Sequence, residues 1–77
     1  MPVRMDLKRL VGRNVRRLRR DRRLTQEQLA DKCGHSQQYI SELERGEQNA
    51  TLISVAEIAL ALEVSHLELF RTDSGKK

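Results

Sequence analysis

Aromatic residues are nearly missing from this chain: Tyr39 and Phe70 are the only two in 77 residues, with no tryptophan. Any core must therefore be aliphatic. Cysteine occurs once, at Cys33, which excludes an intrachain disulfide and a cysteine-based zinc site. Cys33 falls on the apolar side of a helical pattern, so burial as a small hydrophobe is expected. His35 and His66 lack the spacing and the carboxylate company of a metal site, and no metal or cofactor is expected. No nucleophile–base set and no phosphate-binding glycine loop is present, which argues against an enzyme. Nothing suggests a small-molecule ligand. Alternating strand patterns and paired-glycine hairpin turns are also missing, which leaves an all-α chain. Without a signal peptide or an apolar run able to cross a bilayer, the expectation is a cytoplasmic protein with no membrane partner.

What is present is charge, unevenly placed. Residues 1–24 carry ten Lys/Arg against two acids, whereas residues 25–77 carry five against nine, so a total of +4 divides into +8 and −4. A concentrated basic segment suggests a polyanionic partner, nucleic acid first. A chain this short is one small domain that buries only about 60% of its unfolded surface, so self-association would help it.

Along the chain, residues 1–5 read as a flexible arm, residues 6–70 as the folded domain, and residues 71–77 as a flexible tail. Asp6 is the expected cap of a first helix running to about Arg22. Leu7, Val11, Val15 and Leu18 share one face, flanked by Leu10 and Asn14; Arg9, Arg13, Arg16 and Arg20 share the opposite one. That arginine row is either a solvated surface or a source of electrostatic attraction to a nucleic-acid backbone, and the two are compatible.

The stretch from Thr25 to Arg45, TQEQLADKCGHSQQYISELER, reads as two short helices joined by a sharp corner. Thr25 and Gln28 form a capping box, with Leu24 and Leu29 at the staple positions. Gly34 stops the helix, because only a residue without a side chain enters the left-handed region cheaply. Ser36 caps the next helix, whose inner face is Ile40 and Leu43. A fourth helix, capped by Thr51, spans about Leu52 to Leu62 and is apolar nearly all round, with only Ser54 and Glu57 polar. A helix without a wet face belongs in the middle of a domain or against a partner chain, and this one is the best candidate for the hub of the core. Ser65 and Glu68 repeat the capping-box grammar, with Val64 stapled to Leu69, and predict a short fifth helix to about Phe70.

Helix, glycine turn and a helix with a polar outer face form the signature of a helix-turn-helix DNA reader. Counted from Gln26, the small residue required at the fifth position is Ala30 and the turn glycine at the ninth is Gly34. The run TQEQLADKCGHSQQYISELERGEQNATLISVAEIALALEV resembles the Cro/repressor-like (Xre-type) family, which includes phage repressors, controller proteins of restriction–modification systems and many antitoxins. The resemblance covers roughly residues 7 to 70 and implies a compact five-helix lambda-repressor-like domain. His35 departs from it, standing where the family more often has an apolar residue.

The major groove is read through hydrogen bonds, and a glutamine amide both donates and accepts. Gln37 and Gln38 stand at the N-terminal end of the third helix, the end that enters the groove in this motif, and either can bind adenine through N6 and N7. Ser41 and Glu42 lie farther along the same face. Ser41 either lets the helix approach or bonds a base edge; Glu42 either accepts from cytosine N4 or is repelled by the phosphates. Gln26 opens the second helix, where free amides attract a phosphate. The resemblance implies that Gln26 also braces Gln37. Tyr39 either reaches a phosphate or packs along the core, and Lys32 is a solvated charge.

The resemblance further implies that Arg45 and Asn49 grip the DNA backbone and that Arg19 and Glu44 form a partly buried ion pair. Arg19 could touch a phosphate as well; the alternative is two unrelated surface charges. It implies a homodimer too, whose expected interface takes in Leu62, Val64, Leu67 and Phe70. The expected activity is sequence-specific regulation of transcription from a (pseudo)palindromic operator, blocking RNA polymerase or recruiting it. The rival reading is a protein-interaction module, such as an antitoxin, that keeps the fold without reading DNA.

Overall fold

The computed structural model describes residues 6–72. Four α-helices follow in order, α1 (Leu7–Asp21), α2 (Gln26–Cys33), α3 (Gln37–Glu44) and α4 (Leu52–Leu62), and a 3-10 turn (His66–Phe70) completes the fold. The N-terminal arm lies outside the described residues, as does the tail from residue 73 onward.

Each helix starts where a short polar side chain takes up an otherwise unpaired amide. Asp6 accepts from the Arg9 amide at 3.2 Å, Ser36 from Tyr39 at 3.0 Å and Thr51 from Ser54 at 3.0 Å. At α2 both halves of the capping box are made: Gln28 N–H donates to Thr25 Oγ1 at 3.0 Å and Thr25 N–H to Gln28 Oε1 at 2.8 Å. α2 ends on Gly34, at φ +79°. α4 ends the same way but on Glu63, at φ +62°, a conformation that strains any residue with a Cβ.

Every element contributes at least one fully buried aliphatic side chain: Val15, Leu29, Ile40 and Leu43, Ile58 and Leu62, and Leu69. Each stabilises the fold by about 1.5–3 kcal/mol relative to leaving it exposed. Gly12 lets α1 lie directly on the end of α3, since a Cβ there would stand 2.2 Å from the Leu43 carbonyl oxygen. Asn14, buried beside it, donates through Nδ2 to the carbonyls of Leu69 and Arg71, both at 2.9 Å, and so ties the C-terminal segment to α1.

Several expectations need correction. The last element is a 3-10 turn: Ser65 Oγ accepts from Leu67, at 3.2 Å, and the Glu68 carboxylate faces Arg71 at 3.5 Å and Arg17 at 4.0 Å. With Asn14 holding the carbonyls of Leu69 and Arg71, this short segment follows α1 rather than its own helical preference. The end of α1 at Asp21, with Arg22 as its C-cap, agrees with the expected bound, whereas Leu7 lies half exposed beside its inner face. α4, apolar nearly all round, is covered on one side only. Val55, Ile58, Ala59 and Leu62 face inward, whereas Leu52, Ile53 and Leu60 are 85%, 70% and 79% exposed. Ser54, one of its two polar residues, is buried.

Candidate nucleic-acid interface

The candidate interface is built from the start of α2, the outer side of α3 and the loop after it. Ile40 and Leu43, both fully buried, pin α3 to the core. With that face fixed, the helical repeat turns Gln37 and Gln38 to solvent, and leaves Ser41 and Glu42 half-exposed beyond them. Gln37 makes no side-chain hydrogen bond among the described residues. Gln38 Nε2 donates to Glu42 Oε2 at 3.1 Å, and Glu42 Oε1 accepts from Gln48 Nε2 at 3.0 Å.

Behind this face sits a buried polar network. Arg19 Nε donates to Glu44 Oε2 at 2.6 Å and Arg19 Nη2 to Glu44 Oε1 at 3.0 Å, a bidentate ion pair between α1 and α3. The remaining end of the guanidinium, Nη1, donates to the Leu24 carbonyl at 2.8 Å. Gln26 joins the pair, its Nε2 donating to Glu44 Oε1 at 3.1 Å. The two charged side chains are 11% and 3% exposed, so Arg19 works inside the fold and has little surface left for a phosphate. Gln26 has its side-chain partner in Glu44; among the described residues it makes no bond to Gln37, against the implied bracing.

Tyr39 also turns inward. Its hydroxyl donates to Ser54 Oγ at 3.1 Å, and Ser54 Oγ donates on to the Thr51 carbonyl at 3.0 Å. The Tyr39 ring stacks on His35 with centroids 4.6 Å apart, and His35 Nε2 lies 2.8 Å from Glu57 Oε1. The hydroxyl is thus engaged at the edge of the core. The same contacts explain how a polar His35 is tolerated at the turn: its ring has an aromatic face on one side and a carboxylate at its edge.

In the loop, Arg45 lies exposed, with Nη1 donating to Ser41 Oγ at 2.7 Å and Nε to Glu47 Oε1 at 3.1 Å. Asn49 is exposed. Arg9, Arg13, Arg16 and Arg20 are exposed along α1. Arg9 and Arg13 join Arg45 in lining a groove of about 600 Å³ between α1 and the end of α3. Cys33 is buried, and burial pushes its thiol above the ordinary value, against the opposing effect of backbone hydrogen bonds. A thiol held neutral in this way is a core group, not a nucleophile.

Among the four expected interface residues, Leu62 is a core residue with no exposed surface. Val64 and Phe70 are half-buried, and Leu67 is 67% exposed. Leu60, on the outer side of α4, is exposed as well.

A helix-turn-helix family model (HTH_3) matches residues 15–69, a span that takes in the end of α1, all of α2, α3 and α4, and most of the 3-10 turn. The chain belongs to this helix-turn-helix family. It is 55% identical over 65 residues to the HTH-type transcriptional regulator y4dJ of Sinorhizobium fredii, a match covering 84% of each chain. It is 43% identical over 61 residues to the control protein C.SmaI of Serratia marcescens, covering 79% of this chain and 73% of that one. Among solved structures, the restriction–modification controller protein C.AhdI from Aeromonas hydrophila superposes with a TM-score of 0.80 at 35% identity, covering 82% of this chain and 96% of the other. Regulators and control proteins, not enzymes, make up this family, and the chain is a helix-turn-helix regulator. No helix among the described residues is long and apolar enough to cross a membrane.

Some of the interface was open to sequence reasoning and some was not. Gln48, in the polar stretch after Gly46, and Ser54, one of the two polar residues of α4, make hydrogen bonds that the sequence reading did not assign to them. Ser54 had a signal: a lone small hydroxyl one turn into a helix with a threonine cap is placed to bond back to it. Gln48 had none, because its partner Glu42 lies across a turn whose geometry no local pattern specifies.

Proposed function

We propose that this regulator binds double-stranded DNA in a sequence-specific manner, with α3 in the major groove. The observation that carries this reading is the pair of exposed amides, Gln37 and Gln38, on the first turn of a helix whose other side is locked into the core. Ser41 lies beside them. Gln26 marks the α2 N-terminus, whose backbone amides suit a phosphate. Arg45 and Asn49 flank the other side as backbone contacts, and the α1 arginine row adds long-range attraction.

In this reading two copies act together on a (pseudo)palindromic operator, with half-sites roughly 34 Å apart on one face of the duplex. A second copy would cover the exposed Leu60 and Leu67, with Val64 and Phe70 beside them. Occupancy of the operator then blocks RNA polymerase or supplies a contact that recruits it. The similarity to control proteins and the small core of a 77-residue chain both favour this arrangement.

Selection of bound duplex from a random pool, combined with analytical ultracentrifugation, tests the reading. Enriched sequences should contain an inverted repeat and the protein should sediment as a dimer. A pool that emerges without enrichment would leave only the protein-interaction alternative.

A further inference from the structure

The two exposed glutamines of α3 differ in one respect. Gln37 is unconstrained by any side-chain partner among the described residues, whereas Gln38 Nε2 is turned onto Glu42 Oε2, one helical turn away, at 3.1 Å. Glu42 is held in turn, its second oxygen accepting from Gln48 Nε2 at 3.0 Å from the loop after α3. A carboxylate can only accept hydrogen bonds, so it tolerates only the NH2 end of the facing amide. Flipping Gln38 would set its carbonyl oxygen against a negative charge.

We propose that Glu42 is a positioning residue, anchored by Gln48, that fixes the polarity of the Gln38 amide and so makes Gln38 a reader of adenine rather than guanine. This rests on the proposed docking of α3 in the major groove. With one N–H given to Glu42, Gln38 presents its carbonyl oxygen and its second N–H. Adenine matches that pair with its N6 donor and N7 acceptor. Guanine offers two acceptors, O6 and N7, and its O6 would oppose the amide oxygen. Cytosine can supply one donor and thymine none, which ranks them below adenine. Glu42 therefore need not touch a base to influence which base is chosen.

The test compares the wild type with Gln38→Ala, Glu42→Ala and Glu42→Gln. After selection from a random pool, each protein is titrated with the best duplex and with all three substitutions at every base pair. Gln38→Ala identifies the step that Gln38 reads, where the wild type should prefer A·T by about tenfold. Both Glu42 variants should lose that preference at that step alone. Neither should bind random duplex more weakly, since a negative charge near phosphates has been removed. The isosteric Glu42→Gln carries the test should Glu42→Ala fail to fold, because its own amide can face Gln38 with either end.

Full retention of the A·T preference in Glu42→Gln would overturn the inference and leave DNA reading intact. A guanine preference at that step, or loss of discrimination at every step together, would overturn it as well. A wild type without any base preference would instead overturn the DNA reading itself, and this inference with it.

Discussion

Arg19 and Glu44, separated by 25 positions in the chain, meet through two hydrogen bonds of 2.6 and 3.0 Å and join α1 to the end of α3. The pair is nearly sealed from water, and Gln26 supplies a third donor to the carboxylate. Glu44→Ala would leave the guanidinium buried without its counter-charge, with only the Leu24 carbonyl as a partner, at a cost of about 3–5 kcal/mol. That is a large share of what a domain of this size has in reserve. Urea unfolding should show the midpoint falling steeply. An unchanged midpoint would mean that the ion pair contributes nothing.

Gln38→Ala addresses the reading face directly. Its loss should weaken binding to the selected duplex by about 1–3 kcal/mol and leave binding to random duplex as it was. Fluorescence anisotropy at fixed salt measures both. Equal weakening on the two duplexes would assign Gln38 to backbone contact instead.

Glu63 closes α4 at φ +62°, where its Cβ is crowded. The hydrogen bonds of the cap, Glu63 N–H to Leu60 and Val64 N–H to Ala59, belong to the backbone and survive substitution. Glu63→Gly should therefore stabilise the protein, by up to roughly 1 kcal/mol once the added freedom of the unfolded chain is subtracted. Calorimetry would register a higher Tm; a lower one would mean that the Glu63 side chain compensates for the strain.

Cys33 makes stability depend on alkaline pH. Burial raises its thiol above the ordinary value, so the folded state keeps this proton after the unfolded state has released it. Its contribution is fully present below about pH 8.5 and declines as the pH rises beyond that, through the folded value. Subtracting the pH profile of Cys33→Ala isolates the effect, and parallel profiles would remove it. In the folded protein near pH 7, the same thiol should react slowly with iodoacetamide.

How far the sequence carried these conclusions depended on whether a feature was local. Thr25, Ser36 and Thr51 could be read as caps because a cap satisfies an amide two or three residues away, and Gly34 could be read as a stop from its own conformational freedom. α4 could be delimited but not oriented. With Leu52, Ile53, Leu60, Ile58 and Leu62 spread around its circumference, hydrophobicity has no phase, and the packing of α2, the 3-10 turn and α1 decides which side is covered. The capping grammar of Ser65 and Glu68 was read correctly as a start, but the carbonyls taken by Asn14 decided what followed. The partners of Gln26 and Tyr39, and the Gln48 that holds Glu42, lie across turns, beyond any periodic argument.

Another cation acts at a distance in the same way. Arg22, just past α1, donates through Nε to the Leu62 carbonyl and through Nη2 to that of Glu63 at 3.3 Å, placing positive charge at the negative end of α4. Arg22→Ala should lower thermal stability by about 0.3–1 kcal/mol from the helix-end charge alone. Arg22→Lys should recover part of that loss, and circular dichroism melts of the two variants would show whether charge or the forked geometry matters more.

The contact at Gly12 couples the back of the molecule to its front. Because α1 rests on the carbonyl oxygen of Leu43 without a methyl group between them, the far end of α3 is clamped at one height above the core. Any larger residue at that position would lever α3 like a door on its hinge, swinging its first turn through an arc. In the proposed docking, the angle at which the two glutamines meet a duplex would thus be set by a residue buried beneath α3.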